Sequence, residues 1–266
     1  MSRPMVALAL VVAAMAVFIV RQARRVPPRP LAPVEASNGD SLSDSLSGTS
    51  DAAPTNGLVS TRTSSLPAPE RDIAEIQRLL AAGESGTYIR ELLLQRDDNN
   101  ARWTDRRFEP LRVWIQPTSA LPDFDPSYPG RAREAFERWM RVDIPIAFTF
   151  VRDSAACDIP VTWVDKFEMP ISGRTRWTHD QHWWIVGSSI EVALHHQSGT
   201  PLESLAIHAI TLHEVGHVLG LDHTQDERSI MAARVRVSDL ADIDERTVKL
   251  VYRLPPGSVR GAPEAR

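Results

Sequence analysis

The sequence predicts an α+β domain, and three patterns predict it. From Leu111 onward, short runs keep apolar residues at every second position, as half-buried strands do. A stretch between these runs repeats at i, i+3, i+4, i+7 and i+8, the spacing of an amphipathic helix. The third pattern is HEVGHVLGLDH, residues 213–223, which places three histidines, a glutamate and a glycine along the end of a predicted helix.

Composition bounds the reading. A chain of 266 residues with 42% hydrophobic content is long enough for one packed domain with appendages. A net charge of -4 and a pI near 6.1 carry no basic excess, so a nucleic-acid partner is not expected. Cys157 is the only cysteine, which excludes an intrachain disulfide and cysteine-based zinc fingers.

At the N-terminus an apolar run covers residues 5–20. As a helix it would rise roughly 24 Å, short of a hydrocarbon core of about 30 Å, which suits a signal peptide or a short membrane anchor. Ala14-Met15-Ala16 has the small-x-small form of a cleavage site, but Val17 to Val20 continue the apolar run behind it, so an uncleaved anchor is favoured. Arg21, Arg24 and Arg25 follow, and read literally the positive-inside rule would hold the rest of the chain in the cytoplasm. The export reading runs against that rule: a membrane-anchored chain with its catalytic domain outside the cytoplasm, or a secreted one if the segment is cleaved.

Residues 26–70 are rich in Pro, Ser, Ala, Gly and Asp and lack aromatic residues, so they are expected to form a disordered tether. Residues 71–102 hold two short helical patterns: Ile73, Ile76, Leu79 and Leu80, then Ile89, Leu92 and Leu93, split by the turn around Gly83 and Gly86. They read as a lead-in that packs onto the domain at 103–256, and residues 257–266 read as a tail. Within the domain, Leu111, Val113 and Ile115 predict a strand, and Ala132, Ala135, Phe136, Trp139 and Met140 a helix. Ile146, Phe148 and Phe150 alternate, as do Ile159, Val161 and Trp163; residues 174–179 and 184–194 make a hairpin through a turn at 180–182. Thr200-Pro201-Leu202-Glu203 reads as a capping box with proline in the first helical position, opening the helix that runs into HEVGHVLGLDH. A last helix is expected over residues 239–252, ended by Pro255-Pro256-Gly257.

Helical residues four apart lie about 40° apart around the axis, so His213 and His217 point the same way and suit one tetrahedral ion. Glu214 stands beside them, able to orient a water at the metal and take its proton. Gly220 is where the helix should stop, because glycine enters the left-handed conformation without steric cost. The turn then returns His223 as a third ligand. Three histidines leave zinc's fourth position open, as in catalytic sites.

H-E-x-x-H-x-x-G-x-x-H followed by a methionine turn resembles the metzincin zinc endopeptidases, with Met231 eight residues after His223. HEVGHVLGLDHTQDERSIM is most similar to the matrixins, the matrix-metalloproteinase group, and especially their small bacterial relatives. Thr224 stands where matrixins usually carry serine, and Asp226 matches an acidic position in the same loop. The resemblance runs from about Trp103 to Pro256. It implies a twisted, mostly parallel five-stranded sheet with three helices and a Met-turn. It also implies one catalytic zinc held by His213, His217 and His223, Glu214 as general base, Met231 as an apolar floor and no covalent intermediate. The edge strand at 174–179 would pair with an extended protein or peptide substrate. A monomer is expected.

The chain departs from the family in several places. Met231-Ala232-Ala233-Arg234 lacks the proline that usually follows two residues after the methionine, so substrate preference does not carry over. No tyrosine stands near the Met-turn, and no cysteine-switch propeptide is recognisable; Cys157 reads as a small apolar residue. The family spacing for a second, structural zinc is not reproduced, so His179, His182, His195, His196 and His208 read as turn, surface or packing residues. Asp180 and Asp222 could join a calcium site, although their spacing resembles no dedicated oxygen-ligand loop. The rival function is a zinc-binding, membrane-tethered regulatory or binding module without significant proteolysis, and an intact Glu214 argues against it.

Overall fold

The computed structural model describes residues 66 and 68–260, together with the backbone of one two-residue strand, β1 (Val34–Glu35). The apolar run at 5–20 and nearly all of the expected tether lie outside the described residues. Among the described residues no helix is long and apolar enough to cross a membrane.

Two helices come first, α1 (Ile73–Gly83) and α2 (Ile89–Leu94). The Asp72 carboxylate accepts from the backbone N–H groups of Ala74 and Glu75, which caps α1, and the helix buries Ile76 and Leu79. There follow β2 (Asn99–Asn100), β3 (Arg106–Ile115), α3 (Tyr128–Trp139), β4 (Ile146–Phe150), β5 (Ile159–Val164), β6 (Gly173–His179), β7 (Ile185–Ala193), α4 (Ser204–Val218), β8 (Arg234–Val235), α5 (Asp242–Arg253) and β9 (Gly257–Ser258).

Five strands form one sheet in the order β4-β3-β5-β7-β6. The β3–β4, β3–β5 and β5–β7 pairs are parallel and β6–β7 is an antiparallel hairpin, so the sheet is mostly parallel, as the family resemblance implied. β6 is an edge strand. The period-two residues Leu111, Val113, Ile159, Val161, Ile190 and Val192 are fully buried and face the helices. α3 presents Ala132, Ala135, Phe136 and Trp139 to the core, the helical stripe visible in the sequence. α4 is different. Of the thirteen positions from Ala206 to Val218 all but His208 are buried, so it is a central helix enclosed by the sheet and its neighbours.

The expected capping box at 200–203 does not form. α4 begins at Ser204, and its N-cap Glu203 makes no side-chain capping bond. Tertiary pairing takes the intended residues instead: Leu202 N–H donates to Leu194 O, His196 N–H donates to Thr200 O, and Pro201 bridges to His195. Burying Leu202 in this return turn outweighs the local capping preference. The last helix likewise starts at Asp242 rather than 239, where the Asp244 carboxylate accepts from Ala241 N–H.

The lead-in and the start of the tail are pinned to each other. β2 pairs antiparallel with β9, and Asn100 Nδ2 donates to Val251, Leu254 and Pro255 carbonyls. Packing therefore extends beyond 103–256 at both ends.

Candidate metal centre

α4 carries His213, Glu214 and His217 in its last turns and ends where the sequence predicts. Leu219 is the C-cap and Gly220 has φ +92°. Gly220 N–H donates to His217 O and Leu221 N–H to Gly216 O, the two hydrogen bonds of a Schellman turn. Glycine is required there, because a Cβ would overlap the carbonyl oxygen of Ala101. The turn sends the chain back, so His223 faces the helix.

The three imidazoles converge. His217 Nε2 lies 3.0 Å from His213 Nε2, and His223 Nε2 lies 3.2 Å from the same atom. His213 Nδ1 donates to Ile230 O at 2.7 Å and His217 Nδ1 to Leu221 O at 2.9 Å. A carbonyl can only accept, so both Nδ1 atoms carry the proton and both Nε2 atoms are bare when the rings are neutral. Burial pushes His213 down to about 3, helped by His223, and holds His217 well below the usual imidazole value. His223 is lowered for the same reason. Bare nitrogens this close repel one another unless a cation lies among them. Nitrogens about 2.0–2.1 Å from a tetrahedral ion stand about 3.3 Å apart, so this donor set fits zinc. Among the described residues it is the one cluster whose ligand atoms could hold a metal, all within 4.8 Å of one another.

Met231 follows Ile230, whose carbonyl holds His213. It is fully buried and packs against Gly216, where a Cβ would overlap its sulfur. The turn is held from α5: the Asp244 carboxylate accepts from Ile230 N–H at 3.1 Å and from Ser229 Oγ. Thr224 N–H donates to Met231 O, tying the segment after His223 to the same turn.

Glu214 is fully buried beside the histidines. Thr175 Oγ1 donates to its Oε2 at 2.7 Å, while Oε1 has no partner among the described residues. Burial raises its carboxyl to about 8 against the opposing pull of the Thr175 hydrogen bond. A cation at the histidine centre would favour the charged form.

Several contributors carry no local signature. Arg96, in the turn after α2, donates to Gly220 O and Leu221 O and pairs with Asp222. Trp103 Nε1 donates to Val218 O and Trp139 Nε1 to Leu212 O. Thr175 and Gly173 come from β6. A period-two reading of β6 places both on its inner face, but nothing in the sequence says which helical residue they meet.

The remaining histidines divide. His179 stacks on Trp183 with ring centroids 4.2 Å apart, and His208 lies against Arg131 O at 3.3 Å. His195 does more than its sequence suggests: Nδ1 lies 2.8 Å from Asp165 and Nε2 3.0 Å from Asp123, which raises its pKa. Asp180 caps the hairpin turn by accepting from His182 and Trp184 N–H, and Asp222 is committed to Arg96, so the two belong to separate structures. Asp226 pairs with Arg228, and Cys157 is half-buried with Sγ 3.0 Å from Ser154 O.

Comparison with known proteins points the same way. Residues 125–253 match the family model of the matrixins. Metalloendoproteinase 1 of Glycine max is 27% identical over 177 residues, 56% of this chain and 55% of its own length. Metalloendoproteinase 2-MMP of Arabidopsis thaliana is 32% identical over 91 residues, 33% of this chain and 22% of its own. The chain thus spans about half the length of the first relative and less of the second.

Proposed function

From the match of residues 125–253 to the matrixin family model we propose that the chain is a matrixin-like metzincin, a zinc-dependent endopeptidase that hydrolyses peptide bonds of protein substrates. The observation that carries the reading is the pairing of three converging imidazoles with a buried carboxylate whose Oε1 is unpartnered. His213, His217 and His223 would hold the ion through Nε2. When bound, zinc supplies Lewis-acid polarisation of the scissile carbonyl and of the attacking water. Glu214 would accept the water's proton at Oε1 and return it to the departing amine, so no side chain bonds covalently to substrate. β6 lies at the edge of the sheet among the described residues and would offer backbone groups to an extended peptide, with side chains alternating between faces.

The test is hydrolysis of a generic unfolded protein by the purified chain. Cleavage should vanish on chelation and return with one equivalent of zinc, and Glu214→Gln should keep the zinc while losing at least about a hundredfold in rate. A zinc-loaded chain that cleaves nothing across a broad peptide library would instead make it a binding or regulatory module.

The apolar run at 5–20 and the Pro/Ser-rich composition of 26–70 support placing this activity outside the cytoplasm on a membrane tether. A C-terminal reporter that works only after export should be active, and a silent one beside an active cytoplasmic reporter would reverse the topology.

A further inference from the structure

β6 meets the carboxylate of Glu214 at two places, and we propose that this strand aims the proton acceptor: Thr175 is a positioning residue for Glu214, and Gly173 leaves the room that its second oxygen occupies. The inference rests on Glu214 acting as the base.

Thr175 is 2% exposed and its hydroxyl lies 2.7 Å from Glu214 Oε2 and 3.0 Å from Glu214 O. A hydroxyl has one proton to give, and the carboxyl oxygen is the nearer acceptor. The terminal torsion of a glutamate is broad and roughly two-fold, so an unrestrained carboxylate would spread over many orientations. A hydrogen bond from a buried, β-branched side chain on a paired strand removes that freedom, because threonine χ1 is itself stiff. With Oε2 held, Oε1 is the oxygen left to receive a proton, and it is buried without a partner.

Gly173 lies two residues earlier and therefore on the same face of β6. A Cβ there would overlap Glu214 Oε1 and crowd Ile210 Cγ2, so any side chain would push the carboxylate off its position. One residue thus supplies a hydroxyl and the other supplies space. The same strand is the sheet edge along which a peptide would lie, so substrate backbone and base share one rigid frame. Displacing a reacting group by about 1 Å can cost roughly a hundredfold in rate.

Thr175→Val preserves shape and removes the hydroxyl; Thr175→Ser restores the hydroxyl on a smaller frame. The full chain carrying Thr175→Val should keep its zinc content and its KM within about twofold, and lose roughly ten- to a hundredfold in kcat, the scale of one charge-assisted hydrogen bond. Thr175→Ser should recover most of that loss, and Gly173→Ala should lower kcat at least as far as Thr175→Val. Crystals of the metal-free variants provide a readout apart from turnover: the Glu214 carboxylate should be rotated or spread in Thr175→Val and in place in Thr175→Ser. Unchanged kcat in Thr175→Val beside an inactive Glu214→Gln would overturn the positioning role and leave the base reading standing. A fully active Glu214→Gln would remove both. Loss in kcat and KM together, or no rescue by serine, would make Thr175 a packing residue and overturn the inference. Where Thr175→Val does not fold, Thr175→Ala against Thr175→Ser decides by the same criteria.

Discussion

Arg96 Nε lies 2.6 Å from Asp222 Oδ2, with the two side chains only 1% and 9% exposed. The contact is an ion pair rather than an aligned hydrogen bond, and the guanidinium also donates to Gly220 O at 2.9 Å. Asp222 precedes His223, and Leu221 O, which Arg96 reaches at 3.4 Å, also accepts from His217 Nδ1. One arginine from the lead-in therefore holds the turn between two predicted zinc ligands.

Arg96→Ala should be among the costliest substitutions in the chain. It strands a buried carboxylate, which typically costs about 3–5 kcal/mol. Urea unfolding should show a loss of that order, and metal analysis at limiting free zinc should show lower occupancy. For the same reason a fragment limited to residues 103–256 should fold less stably than one spanning 71–260. Equal unfolding midpoints for the two fragments would mean that the Arg96 clamp is dispensable.

Gly220→Ala should destabilise by more than the roughly 1–2 kcal/mol of a left-handed alanine, since its Cβ would also overlap Ala101 O. Zinc affinity should fall with stability, because His223 depends on that turn. An alanine variant with native stability and full zinc occupancy would contradict this account of the helix end.

His217→Ala removes one of three converging nitrogens. Purified with zinc and dialysed against the free metal, the variant should bind substantially less than one equivalent. Full occupancy would show that the ion, if present, is held elsewhere.

His195 should make stability depend on pH. The hydrogen bond to Asp123 first, and then Asp165, raise its pKa above the ordinary imidazole value. The folded state thus binds the proton more tightly than the unfolded chain does. This contribution is complete below the unfolded value of about 6.5 and fades as pH rises through the folded one. His195→Gln should therefore cost more stability at about pH 5.5 than at about pH 8.5. An equal loss at both would assign His195 a packing role only.

Much of the site was legible because its signals are local. His213 and His217 meet through helical geometry alone, and Gly220 ends α4 through its own backbone freedom. The strands were legible for a similar reason: Leu111, Val113, Ile159 and Val161 alternate because one face of the sheet is buried. The misplaced start of α4 shows the limit. Thr200 to Glu203 satisfy every local rule for a cap, yet Leu202 gains more by pairing with Leu194 and entering the core.

The sequence by itself determined the clustered histidines, the carboxylate beside them and the order of strands and helices, since each is written in spacings of a few residues. Only the tertiary structure decided what holds them in place. Arg96 reaches Gly220 across 124 residues, Thr175 reaches Glu214 across 39, and Asp244 reaches Ile230 from the next helix. Such pairings depend on how separate elements dock, and docking is set by the burial of whole faces, which no local periodicity records.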